Sequence, residues 1–183
     1  MTRNSFLGLV TGTFTLLAVS ASDGRAQTST TEAELPAPVA KTFRATFPKA
    51  EILKLDAEEE NGVMIYDFEF KDGDVERETD IAGDGTMLEV TLVIDAAAVP
   101  AAAMKTVSAN AKGAKIGRLE RIEVSYEALD GKVAKLPAVL TRYAAEMSKG
   151  KKMAEVIVNP DGSVLEAPEW VAVDAKPAVK AGK

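Results

Sequence analysis

Neither cysteine nor histidine occurs among the 183 residues. Without cysteine there is no disulfide framework and no thiolate chemistry, so stability must come from a buried core. Without histidine the usual general base near neutral pH is missing, and with it every Ser-His arrangement and the common zinc and copper ligand sets. Glycine-rich phosphate loops, a nucleophile elbow and metal-ligand clusters are missing too. An enzyme built from this chain would have to use carboxylates, Lys, Tyr or Ser alone. Acid pairs such as Asp67 with Glu69, or Glu76 with Glu78, sit as neighbours on one strand face and lack the enclosing cleft that separates two carboxyl pKa values. No catalytic residue, metal site or cofactor is assigned, and the chain is expected not to be an enzyme.

Long apolar runs are equally scarce. The one at the N-terminus, Phe6 to Val19 after Arg3, is too short to span a bilayer comfortably and is diluted by Thr11, Gly12, Thr13 and Thr15. With Gly24-Arg25-Ala26 as a cleavage site, residues 1–26 read as a signal peptide. The mature protein is then expected to be periplasmic or secreted, with no stable membrane insertion after cleavage. A retained anchor is the alternative reading. The absence of cysteine near the cleavage region excludes an N-terminal lipid anchor.

Charge is divided unevenly. Gln27 to Ile94 carries sixteen acids against six bases, whereas Asp95 to Lys183 carries eleven acids against fourteen bases. No basic surface is concentrated enough to suit phosphate binding, so nucleic acid is not an expected partner.

What the chain does contain is itself, twice. Leu35-Pro36, Thr42 and Ala50-Glu51-Ile52 return 64 residues later as Val99-Pro100, Thr106 and Ala114-Lys115-Ile116. Tyr66, Glu69, Gly73 and the run Asp84-Gly85-Thr86-Met87-Leu88-Glu89 return 77 residues later as Tyr143, Glu146, Gly150 and Asp161-Gly162-Ser163-Val164-Leu165-Glu166. The second copy therefore carries thirteen extra residues in its middle.

Each copy opens with a helical pattern. Leu35, Val39, Phe43 and Phe47 recur every four residues, Pro36 suits a first turn, and Pro48 ends the helix; Val99, Ala103, Val107 and Ala111 repeat the face before Gly113. The period then shifts to two. Asn61-Gly62 is a two-residue hairpin signal, and Met64, Tyr66, Phe68 and Phe70 alternate with Ile65, Asp67, Glu69 and Lys71. Turns at Asp72-Gly73 and Asp84-Gly85 complete four strands. One such unit is a marginal core, so the expected fold is α+β: two tandem helix-plus-four-strand units sharing one eight-stranded antiparallel sheet, with two helices on one face. The expected layout is a flexible leader at 27–34, unit 1 at 35–94, unit 2 at 95–173 with a hairpin insertion near 124–136, and a disordered tail at 174–183.

Leu35-Pro36, Phe43, Phe47-Pro48-Lys49-Ala50, the acidic run to Asn61-Gly62, Tyr66-Asp67-Phe68-Glu69-Phe70 and Asp84-Gly85-Thr86-Met87-Leu88-Glu89 resemble the PepSY-like domains of exported bacterial proteins. The resemblance implies a fold like that of the beta-lactamase inhibitor protein. It also implies an inhibitory or regulatory role toward extracytoplasmic peptidases, with no catalytic residues to carry over. It covers Leu35 to Ile94 best; the second copy lacks the Phe-Pro pair and is interrupted from Glu127 to Pro137.

Where the copies agree, architecture explains the residue; where they differ, function has room. Glu76, Glu78 and Asp80 lie two apart on one strand face, and their counterparts are Met153, Glu155 and Ile157. The acids read either as a solvated face guarded against edge pairing or as a patch for a basic partner or a divalent cation. Spacing for a twelve-residue calcium loop is lacking. Met153 and Ile157 read either as a protein-binding surface or as residues packed by the C-terminal segment. Tyr126 and Leu129 fall on the inserted hairpin, expected to project beyond the sheet either as a binding loop or as a tolerated insertion with no role. Trp170 reads as a core plug. These differences point to a non-catalytic module that binds another extracytoplasmic protein, with a small-ligand or cation binder as the alternative.

Overall fold

Pro36 opens helix α1 (Ala37–Thr46) with backbone angles of −56° and 139°, and the four-residue spacing buries Val39 and Phe43 completely. Phe43 then stacks on Phe68, with ring centres 4.2 Å apart, and meets Phe70 edge-on at 5.1 Å. Burying an aromatic side chain of this kind contributes on the order of 1.5–3 kcal/mol, so this cluster is a principal stabiliser of its unit. Helix α2 (Ala101–Ala111) repeats the arrangement with the smaller Ala103, Val107 and Ala111, and ends at Lys112 and Gly113, both left-handed.

This architecture comes from a computed structural model that describes residues 28–173; the expected signal peptide and the tail at 174–183 lie outside those residues. The strands are β1 (Thr28–Ser29), β2 (Glu51–Glu60), β3 (Val63–Asp72), β4 (Val75–Ala82), β5 (Met87–Val93), β6 (Lys115–Leu129), β7 (Lys132–Lys149), β8 (Lys152–Val158), β9 (Val164–Glu166) and β10 (Val171–Ala172). They join in one sheet in the order β1-β2-β3-β4-β5-β6-β7-β8-β10, with β9 also paired to β8. The α+β class with two helices and a large antiparallel sheet is as the sequence indicated. The count differs, because two-residue strands at either end bring eight strands to ten.

One of those additions corrects the expected flexible leader. Thr28 and Ser29 pair with Ala57 and Asp56, a 3-10 turn follows at Glu32–Glu34, and Arg44 of α1 holds Glu32 through two 2.6 Å contacts. Thr31 and Glu34 cap that turn reciprocally. The segment is thus fastened to the sheet and to the helix.

The described residues form two compact units, 28–92 with 123–140, and 93–122 with 141–173. In the first, Leu55, Phe68, Phe70 and Ile81 face α1; in the second, Leu119, Tyr143, Ala145, Met147, Ala154, Val156 and Val158 pack with α2, and Trp170 lies half-buried against them. Both units show the same joint between helix and sheet. Thr42 of α1 donates its hydroxyl proton to the Gly85 carbonyl at 2.8 Å, and Thr106 of α2 does the same to Gly162 at 2.8 Å. Asp84 and Asp161 fold these turns by accepting from the backbone N–H of Thr86 and Ser163, each at 2.8 Å. Both glycines have positive φ, 90° and 85°, and a Cβ on them would stand 2.9 Å from Pro38 and 2.7 Å from Ala102. The repeated Thr and Asp-Gly are therefore demanded by the fold.

The thirteen extra residues do not project as expected. The β6–β7 arm belongs to the first unit, where Ala128 closes a small apolar cluster with Ile65, Ala82 and Leu88 on the sheet face opposite α1. Its tip is tied down at the β2–β3 turn. Asn61 donates from Nδ2 to the Ala128 carbonyl at 3.0 Å and accepts at its own carbonyl from the Gly131 N–H at 2.7 Å. The physical reason is apolar area: Ile65, Ala82 and Leu88 lie outside the reach of α1, and the arm covers them.

Removing either turn contact should be measurable. Thr42→Val is expected to lower unfolding free energy by about 1 kcal/mol, and Gly85→Ala by about 1–3 kcal/mol through strain and clash, read by denaturant titration. Asn61→Ala is expected to cost about 1–2 kcal/mol and to speed amide exchange at Ala128–Lys132 more than elsewhere, read by hydrogen–deuterium exchange.

Candidate functional site

Strand alternation puts Lys54, Asp56, Asp67, Glu69, Glu78 and Asp80 on the face of the first unit opposite α1, since Leu55, Phe68 and Ile81 between them face the helix. Register then aligns them into rows. Asp56 stands opposite Asp67, Asp67 opposite Asp80, and Asp80 opposite Glu89, so four carboxylates cross four adjacent strands in a line. The neighbouring row runs Lys54, Glu69, Glu78, Thr91. Lys54 serves both rows, its Nζ lying 2.6 Å from Asp56 and 3.2 Å from Glu69. Burial pulls its ammonium pKa down, but the hydrogen bonds and charges of those two carboxylates outweigh it and hold the group above its ordinary value.

Asp80 has a different environment. It lies on the floor of a small cleft walled by Glu60, Leu88 and Glu89 of its own sheet and by Tyr126 and Glu127 of the arm. The cleft has room for about one water-sized group. Although Asp80 keeps some exposed surface at the cleft mouth, surrounding atoms hem it in closely. Burial pushes its carboxyl well above the usual carboxylate range, and the negative charges of Glu89, Asp67, Glu58 and Glu60 push in the same direction.

The other unit supplies an internal control at the same registers. Ala144 stands opposite Ile157, and Ile157 opposite Glu166, at the positions that correspond by the 77-residue offset to Asp67, Asp80 and Glu89. Ala144 and Ile157 are 1% and 2% exposed. A fold that accepts an apolar pair there does not require two acids.

The structure distributes the sequence candidates as follows. Glu76, Glu78 and Asp80 share one strand face, but Glu76 is exposed away from the cleft, Glu78 is buried in the neighbouring row, and only Asp80 of the three lines the cleft. Tyr126 reaches that same cleft, half-buried, with Lys135 Nζ 6.0 Å from its ring centre; Leu129 is 53% exposed at the arm's tip. Two features singled out separately in the sequence, an acid and an insertion residue, therefore meet. Ile157 does not expose apolar area as a docking residue would, because it is buried, and Met153 is half-buried beside Val171 of β10. The C-terminal strand packs there instead. Glu60, Glu89 and Glu127 are not candidates in the sequence, and Asp67 enters there only as an acid pair with Glu69. The pairing of Asp67 with Asp80 was within reach, since Asp67 lies six residues before Gly73 and Asp80 six after Asp74; the rest depend on a bulge and on where the arm docks.

No three carboxylates among the described residues converge closely enough to share a metal ion. The chemistry of the cleft, with acids around a small space and an aromatic ring and apolar side chains beside it, suits an ammonium head on an apolar stem. No described helix is long and apolar enough to cross a membrane.

Solved structures share the fold. A "putative periplasmic" protein from Bacteroides eggerthii superposes with a TM-score of 0.53 at 13% identity, covering 75% of this chain and 90% of its own. A DUF2874 family protein from Bacteroides uniformis gives 0.53 at 14% identity, with 78% and 94% coverage. Another DUF2874 family protein, from Bacteroides ovatus, gives 0.51 at 13% identity, with 80% and 93% coverage. No curated protein matches the chain. The family model described as "Putative beta-lactamase-inhibitor-like, PepSY-like" matches twice, over residues 24–84 and 64–129, and the chain belongs to that PepSY-like family.

Proposed function

We propose that the protein is an exported, non-catalytic binding module that engages another extracytoplasmic protein, as a regulator or inhibitor of an enzyme such as a peptidase, through the carboxylate cleft of the first unit. The observation that carries this reading is the internal control: Asp67 and Asp80 stand where the other copy buries Ala144 and Ile157. Acids that the fold does not need, and that disfavour one another's charge, are explained by what they recognise. The partner's chemistry follows from the site. A lysine side chain would seat its ammonium among Glu60, Asp80, Glu89 and Glu127, and lay its apolar stem on Leu88 and Tyr126.

Placement in the periplasm is supported by the signal-like N-terminus and by a fold shared with proteins described as periplasmic. An inhibitory role rests on the family's description. A divalent-cation binder is less well supported, since the acids do not converge as ligands.

The test is capture of basic partners from periplasmic extract on the immobilised full-length protein. Retention is expected to weaken as salt rises, and to be lost in the double variant Glu60→Lys, Glu127→Lys, which recharges the cleft walls. Capture unaffected by both changes would remove the cleft from the binding surface.

A further inference from the structure

Asn61-Gly62 is the one place in the chain where glycine follows asparagine. The pair forms the β2–β3 turn, with φ of 48° and 80°, and both residues are exposed. A second turn of the same kind, Asp130-Gly131 with φ of 50° and 75°, closes the arm and lies directly against the first: a Cβ on Gly62 would stand 3.1 Å from the Gly131 Cα. Two hydrogen bonds lock the turns together, from Asn61 Nδ2 to the Ala128 carbonyl at 3.0 Å and from the Gly131 N–H to the Asn61 carbonyl at 2.7 Å. The side-chain amide that latches the arm is thus the one that an Asn-Gly sequence lays open to attack by its own backbone, because glycine has no Cβ to shield its nitrogen.

We propose that Asn61 is a self-modification site whose deamidation releases the arm. The Gly62 nitrogen, deprotonated by hydroxide, bonds to the Asn61 Cγ; the Cγ–Nδ2 bond breaks and ammonia leaves, taking a proton from water. Water then opens the five-membered imide at one of its two carbonyls, leaving aspartate or isoaspartate with no change of oxidation state. Either product unlatches the arm. Aspartate sets a carboxylate oxygen, which only accepts, where Nδ2 donated to the Ala128 carbonyl, and adds negative charge at a tip that already carries Asp130. Isoaspartate lengthens the turn by one backbone atom and moves the carbonyl that receives the Gly131 N–H off the main chain as a free carboxylate. The arm's departure uncovers Ile65, Ala82 and Leu88 and takes Tyr126 and Glu127 away from the cleft, whatever the cleft binds.

The latch also sets the rate. Ring closure swings Cγ toward the Gly62 nitrogen and lifts Nδ2 off the Ala128 carbonyl, so it proceeds only in molecules whose arm tip has opened. Loss of ammonia makes the release one-way, and the site records the protein's age.

The test incubates the full-length protein at mildly alkaline pH and reads it by pepsin digestion in acid with mass spectrometry. The peptide carrying Asn61 is expected to gain the mass that separates a carboxylic acid from its amide, more slowly than in the urea-unfolded chain by up to about a hundredfold. The reacted protein, and Asn61→Asp from the outset, are expected to exchange the amides of Ala128–Lys132 faster than the unreacted protein, with Phe68–Phe70 unchanged. Conversion as fast folded as unfolded overturns the latch's control of the rate. An intact Asn61 after about a hundredfold the unfolded lifetime overturns the modification site. Arm exchange unchanged in both the reacted protein and Asn61→Asp overturns the release.

Discussion

Each unit joins its helix to its sheet by the same hydrogen bond, from a helix threonine to the glycine carbonyl of an Asp-Gly turn, 2.8 Å in both copies. It pins the helix against the turn between the unit's third and fourth main strands, while the apolar side of the alternating strands sets which face the helix covers. Everything on the opposite face depends on that choice. Because Phe68 and Ile81 are committed to α1, Asp67 and Asp80 are committed to the other side, and register brings them together with Glu89. The glycine enters for the same reason as the threonine: Pro38 and Ala102 approach so closely that no Cβ fits.

Much of this was legible in the sequence. Four-residue spacing located the helix faces, Asn61-Gly62 the first hairpin, and the repeated Thr and Asp-Gly the joint, since local chemistry determines each of them. The strand carrying Glu76, Glu78 and Asp80 was likewise read from alternation. What alternation cannot convey is which of the three is enclosed. That depends on the bulge between Asp80 and Ile81, which shifts Glu89 into line, and on the arm, whose docking site is set by apolar area far away in the chain. Ile157 illustrates the limit from the other side: its apolar character was visible, but alternation alone could not choose between display and packing.

The two copies thus separate architecture from function more sharply than either could alone. Shared residues build the joints, and the first unit then departs from the second at two inner positions of one cross-strand row. The arm departs as well, by leaving its own unit in sequence to wall the cleft at Asp80. Asp80 and the arm's Tyr126 and Glu127 meet at one small space, and that cleft is where we propose that specificity resides.

If the acids are present for recognition and not for folding, giving the first unit the second unit's residues should strengthen the fold. The direct measurement is the unfolding free energy at neutral pH of the double variant Asp67→Ala, Asp80→Ile against the wild type. The expected result is a gain of about 1–3 kcal/mol, the scale of relieving buried, mutually repelling carboxylates. A loss of stability would show that the fold needs its acid row, and would contradict the account.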